Sequence, residues 1–149
     1  MIAQKKDKQR GAALVEFVLV FPILLLFLFG IIEFSVMLYD NAVITNASRE
    51  AAREWIEYKD VRPTIADVGG VVTDYTSNRL ITFGTGNPPT VDLQVNGVAG
   101  TVSSMAAVQG GDMLTVEVSY TYTYMLLPAL VQGILPSLTL SAETVMRAE

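Results

Sequence analysis

The sequence predicts an α+β protein: a long N-terminal transmembrane helix that extends into a small extracytoplasmic domain, where an antiparallel sheet packs on the helix. Three observations carry this prediction. A charge-free apolar run, FVLVFPILLLFLFGII, covers Phe17 to Ile32. Beyond it, Val43, Ala47, Ala51 and Trp55 recur at every fourth position, the repeat of one helical face. In the last third, apolar and polar residues alternate strictly, the period of a strand with one buried face.

The basic head comes first. Met1 to Gly11 holds Lys5, Lys6, Lys8 and Arg10 against Asp7, a net +3, whereas the rest of the chain holds six basic and fourteen acidic residues, a net −8. Lysine and arginine are enriched on the cytoplasmic flank of membrane spans. These four residues therefore place the N-terminus in the cytoplasm and the C-terminal domain in the periplasm or outside. The acidic remainder excludes a nucleic-acid partner, because phosphate binding needs a clustered positive surface.

Extended back to Ala12, the apolar segment is about 30 Å long as a helix, the thickness of a hydrocarbon core. A secretory signal peptide has a shorter apolar core and a small-x-small cleavage site; here the block runs into Ile31-Ile32-Glu33-Phe34 instead. Pro22 lies inside the span, removes one backbone hydrogen bond and crowds the carbonyl of Val18, so a bend or loosened turn is expected there. Glu16 is the segment's single ionisable residue. It either snorkels to the headgroups, is protonated, or pairs with a positive group in an assembly; an ionisable side chain inside a span favours a functional role.

The helix is expected to run from about Leu14 to Lys59, with residues 12–34 in lipid and 35–60 in water, ahead of a small domain over 61–149. Asn41, Thr45 and Asn46 make a polar patch just past the span. Asp60 to Pro63 ends the helix. A second helical piece follows, with Ile65, Val68, Val72 and Tyr75 on one face, weakened by Gly69-Gly70. Gly84 to Pro89 reads as a loop. Val91, Leu93 and Val95 form a strand, and Asn96-Gly97 is a strong hairpin signal. Leu114, Val116, Val118, Tyr120, Tyr122 and Tyr124 alternate with polar residues in the clearest strand of the chain. Leu138, Leu140 and Ala142 mark the final one. Between these two lies the apolar connection MLLPALVQGILP, Met125 to Pro136, whose leucines are either buried or touch membrane or partner. The tyrosine row reads as core by its period, with a carbohydrate-binding face as the alternative.

No enzyme is expected. The chain has no cysteine and no histidine, which excludes thiolate and imidazole metal sites, cysteine nucleophiles and disulfides. There is no Walker loop, no GxSxG and no carboxylate cluster; Asp67, Asp74, Asp92 and Asp112 are scattered. No cofactor is implied.

The segment Arg10-Gly11-Ala12-Ala13-Leu14-Val15-Glu16-Phe17, the leucine-rich span, Ile31-Ile32-Glu33-Phe34 and Thr45 to Arg53 together resemble the TadE-like family, minor pilins or pseudopilins of the tight adherence (Tad, Flp) pilus system. The strong part covers the first third of the chain. Met146-Arg147 in the last strand also fits, and the stretch from Ile65 to Gly111 carries no resemblance. The resemblance implies a type IV prepilin-like N-terminus. A prepilin peptidase would cut between Gly11 and Ala12, and Glu16, then the fifth residue, would pair with the α-amino group of a neighbouring subunit, with Phe17 beside it. Implied partners are the membrane, other Tad/Flp pilins and minor pilins, and the inner-membrane platform and pilus assembly machinery. Flp major pilins are far shorter and carry Glu-Tyr where this chain has Glu16-Phe17, so the resemblance points to a minor subunit acting in pilus assembly, priming or at the tip, and through it in adhesion or secretion. The alternative is a membrane-tethered ligand- or sugar-binding module.

Overall fold

The computed structural model describes residues 3–56, 63–81, 87–100, 108–127 and 132–148, with residues 3–10 described through the backbone alone. The elements are helix α1 (Ala3–Ile56), helix α2 (Ile65–Ser77) and four strands, β1 (Thr90–Val95), β2 (Val98–Ala99), β3 (Met113–Tyr122) and β4 (Leu138–Arg147). The fold is α+β, as expected.

Helix α1 has 54 residues, about 80 Å at 1.5 Å per residue. It begins well before Leu14, because the head is rich in lysine, glutamine and alanine, all good helix formers, and its first glycine, Gly11, is isolated among them. The α-helix continues through Val18 to Pro22. The expected end near Lys59 and the breaker from Asp60 to Arg62 lie outside the described residues, as do Gly84 to Gly86.

The chain divides into two compact units. One comprises the first 35 residues together with Tyr124–Leu135; the other comprises Val36–Thr123 and Pro136–Glu149.

In the second unit, the C-terminal part of α1 supplies one wall of the core. Val43, Ile44, Ala47, Ala51, Ala52 and Trp55 are all buried, so the four-residue stripe is a packing face. Ser48 joins them from below the surface, its hydroxyl 2.7 Å from the Thr144 hydroxyl of β4. Helix α2 starts on a capping box: Thr64 Oγ1 accepts from the Asp67 amide, and Asp67 Oδ2 accepts from the Thr64 amide. This cap and the burial of Val68, Val72 and Thr76 offset the weak Gly69-Gly70 pair. The inward face thus ends on Thr76 rather than Tyr75, whose ring lies 4.2 Å beneath the Arg79 guanidinium.

The sheet is antiparallel throughout, in the order β2-β1-β3-β4. Val95 pairs with Val98, so Asn96-Gly97 is a two-residue hairpin turn, and both turn residues have positive φ (51° and 78°). The Asn96 side chain locks that turn to β3 by accepting from the Met113 amide and donating to Asp112. On β3, Leu114, Val116, Val118, Tyr120 and Tyr122 are buried and face the core with Leu93 of β1 and Ala142 of β4. Strand β3 ends at Tyr122, earlier than the alternation suggests: Tyr124 belongs to the first unit, where the amides that follow it bond to a glutamate of α1 instead of a neighbouring strand.

Candidate functional site: the exposed apolar helix

The N-terminal half of α1 is apolar and bare. None of its most hydrophobic window is buried within the chain, and Leu14, Phe17, Leu19, Ile23, Leu24 and Phe27 are each more than half exposed. A core helix of a soluble protein would be covered along this stretch. An exposed apolar surface of this size marks a membrane or assembly face, and the run is long enough to cross a bilayer. A helix suits such a segment, since in lipid every backbone polar group would have to bond within its own segment.

The residues singled out from the sequence lie along this one helix and are not gathered into a pocket. Gly11 and Ala12 sit inside the helix and are exposed, with open space where a side chain on Gly11 would go. Glu16 is exposed amid leucine, valine and phenylalanine. Phe17 stacks at a tilt on Phe21 one turn later, ring centroids 5.3 Å apart. Pro22 follows, and with no N–H to donate it leaves the Val18 carbonyl without its helical partner. The side chains of Lys5, Lys6, Lys8 and Arg10 lie outside the described residues. Towards the end of the apolar run, Gly30 opens a notch of about 370 Å³ flanked by Leu26, Phe27, Ile31 and Phe34. Small residues at such points let a second helix approach closely in lipid.

Two carboxylates escaped the sequence reading. Glu33, immediately after the apolar run, is 4% exposed. Its two oxygens accept from consecutive amides, Met125 at 2.8 Å and Leu126 at 2.7 Å. Asp40, two turns on and within the second unit, is fully buried. Its Oδ1 accepts from the Ile81 amide at 3.0 Å, while Oδ2 has no hydrogen-bond partner among the described residues. Burial pushes the Asp40 carboxyl above its ordinary range, and the Ile81 N–H partly counteracts this. The Tyr120 hydroxyl is raised as well, first by its own burial and then by the negative charge of Asp40. The only signal in the sequence was an acid interrupting an otherwise apolar helical stretch; the partners are 92, 93 and 41 residues away and could not be read from spacing.

The tyrosine row does not form a ligand face. Tyr120 and Tyr122 are 2% and 3% exposed, which removes the aromatic platform on which a sugar-binding reading depended. Among the described residues no cluster of acidic side chains is placed to hold a metal ion.

The bare apolar helix that follows the basic head has the length and composition of a membrane anchor. In a comparison with known families, residues 11–53 match the family model described as TadE-like protein. The matched segment holds the exposed helix, Glu16, Glu33, Asp40 and most of the packing stripe. No curated protein and no solved structure gives a significant match.

Proposed function

We propose that this protein is a minor pilin or pseudopilin of a Tad-type pilus, held in the inner membrane by residues 12–34 with its N-terminus in the cytoplasm, and acting in pilus assembly, priming or at the tip. The observation that carries this reading is an apolar helix that the described residues leave uncovered, bearing a single carboxylate near the N-terminal end of its apolar segment, inside a stretch that matches the TadE-like model.

The chemistry follows from the solvent. A carboxylate in lipid is costly, less so towards the interface, and it is stabilised most by an opposite charge. Cleavage between Gly11 and Ala12 by a prepilin peptidase creates one: the new α-amino group of Ala12. Within one subunit that group and Glu16 lie on the same helix, one turn apart; between subunits their pairing sets the axial offset of neighbouring helices. Phe17 and the notch at Gly30 then supply apolar packing along the same helices. The bond to be cut lies within a helix, and a glycine there weakens the turn that the peptidase must open.

Mass spectrometry of the protein purified from cells that hold the prepilin peptidase tests the reading. A mature chain starting at Ala12 supports it. A chain that keeps residues 1–11 in the presence of an active peptidase removes the pilin role.

A further inference from the structure

The apolar connection between β3 and β4 is tied to the end of the membrane span. Glu33 is the first residue after the apolar run, and both of its carboxylate oxygens are committed to amides at the start of that connection. The Gln132 side chain donates to the Leu127 carbonyl at 2.5 Å and so ties the far end of the connection to the near end. The described residues of this connection, 124–127 and 132–135, belong to the same compact unit as the apolar part of the helix.

What this segment presents is apolar. There is no charged residue between Glu117 and Glu143. Ile134 is 84% exposed, more than any large hydrophobic residue of the span, and Leu135 beside it is 39% exposed. The inner face of β3 is already filled by its own side chains, and Ile134 takes no part in that core.

We propose that the two ends of this connection, Met125–Leu127 and Gly133–Leu135, form a second membrane contact: Glu33 docks them at the exit of the span, and Ile134 and Leu135 enter the boundary between headgroups and acyl chains. This rests on the membrane reading of the helix given above. Lipid is the occupant the geometry selects, because the segment is fastened at the level where the apolar helix leaves the hydrocarbon, and an uncharged apolar surface at that depth partitions about 5–10 Å into the boundary. Glu33 is suited to the task. A carboxylate at the interface needs its oxygens satisfied, and two consecutive backbone N–H groups do so without adding a charge.

The chain has no cysteine, so single-cysteine variants of the full-length protein can be labelled without background. Ile134→Cys and Leu24→Cys, each carrying an environment-sensitive fluorophore, are reconstituted in phosphatidylethanolamine–phosphatidylglycerol vesicles doped with lipids bearing a nitroxide near the headgroup or at the acyl-chain end. The Ile134 probe is expected to be blue-shifted and quenched chiefly by the shallow nitroxide, and the Leu24 probe chiefly by the deep one. Glu33→Ala should lower quenching at Ile134 and leave Leu24 unchanged. If Leu24 is quenched and Ile134 by neither nitroxide, the connection does not touch lipid and the proposal fails while the span stands. An Ile134 probe that is shielded only as protein concentration rises in detergent, with no lipid quenching, means that a second copy covers the segment, which also overturns it. If Leu24 itself is unquenched, the membrane reading falls and this proposal with it. Quenching at Ile134 that Glu33→Ala leaves intact removes the docking role of Glu33.

Discussion

Glu16, Glu33 and Asp40 are three acids on one helix with three different fates. Glu16 is exposed among apolar side chains, Glu33 accepts from two amides, and Asp40 is buried with one oxygen satisfied and the other without a partner among the described residues. Glu16→Ala is expected to insert normally, because it makes the span more apolar, and to reduce surface pili; wild-type pilus numbers in that mutant, counted by electron microscopy, would exclude a pairing role. For Asp40 the sign of the pH effect is fixed by its raised carboxyl. A folded-state value above the ordinary 3.8 means that the stability contributed by this group is fully present below about 3.8 and is lost as pH rises through the elevated value. Asp40→Asn keeps an oxygen for the Ile81 amide and has no charge to bury. It should therefore flatten the pH profile of unfolding in that window and be at least as stable as the parent at neutral pH. Denaturation of the detergent-solubilised protein as a function of pH checks this, and an unchanged slope would show that Asp40 is not responsible.

At the scale of elements, helix α1 and the β1–β2 hairpin make separate predictions. Trp55 fills the core with no exposed surface, yet its indole N–H has no partner among the described residues. Trp55→Ala should cost about 3–5 kcal/mol, the usual range for deleting a buried aromatic ring. Trp55→Phe removes an unsatisfied donor along with some volume, so it should cost far less; equal losses for the two variants, measured by chemical denaturation, would mean that the N–H is in fact bonded. In the hairpin, Gly97 has φ of 78° and open space around it. Gly97→Ala therefore meets no neighbour and should lose about 1–2 kcal/mol through backbone conformation alone. The same substitution at Gly69, helical with equally open surroundings, should stabilise by up to about 1 kcal/mol, so the two together separate conformation from contact.

For the whole molecule, the decisive quantity is how much apolar surface the chain leaves uncovered. The apolar helix and the Ile134–Leu135 corner stay exposed, whereas the second unit has its own buried core. Gly11→Ser should block maturation, leaving a chain heavier by the leader peptide on a gel or in mass spectra. Normal processing of that variant would place the scissile bond elsewhere.

Much of this architecture was legible in advance because two periodicities dominate it. The apolar run was legible as one long helix, because an uncharged stretch of that length meets the membrane-span criterion by composition alone. The four-residue stripe from Val43 to Trp55 and the alternation on β3 and β4 report burial, because a repeat of 3.6 or 2 residues puts side chains on one face whatever lies opposite. Asn96-Gly97 was readable for a local reason, the left-handed conformation that its turn demands. What tertiary structure alone decided were pairings across distance. Strand order, the end of β3 at Tyr122, Thr76 facing inward in place of Tyr75, the burial of Asp40 against Ile81 and the clasp of Glu33 on Met125 and Leu126 all depend on which backbone amides arrive beside a given side chain. A carboxylate carries no mark of whether it will meet water, lipid or an N–H group. Composition and spacing determine where an element forms; only the closed fold determines which polar atoms it leaves to be satisfied by another.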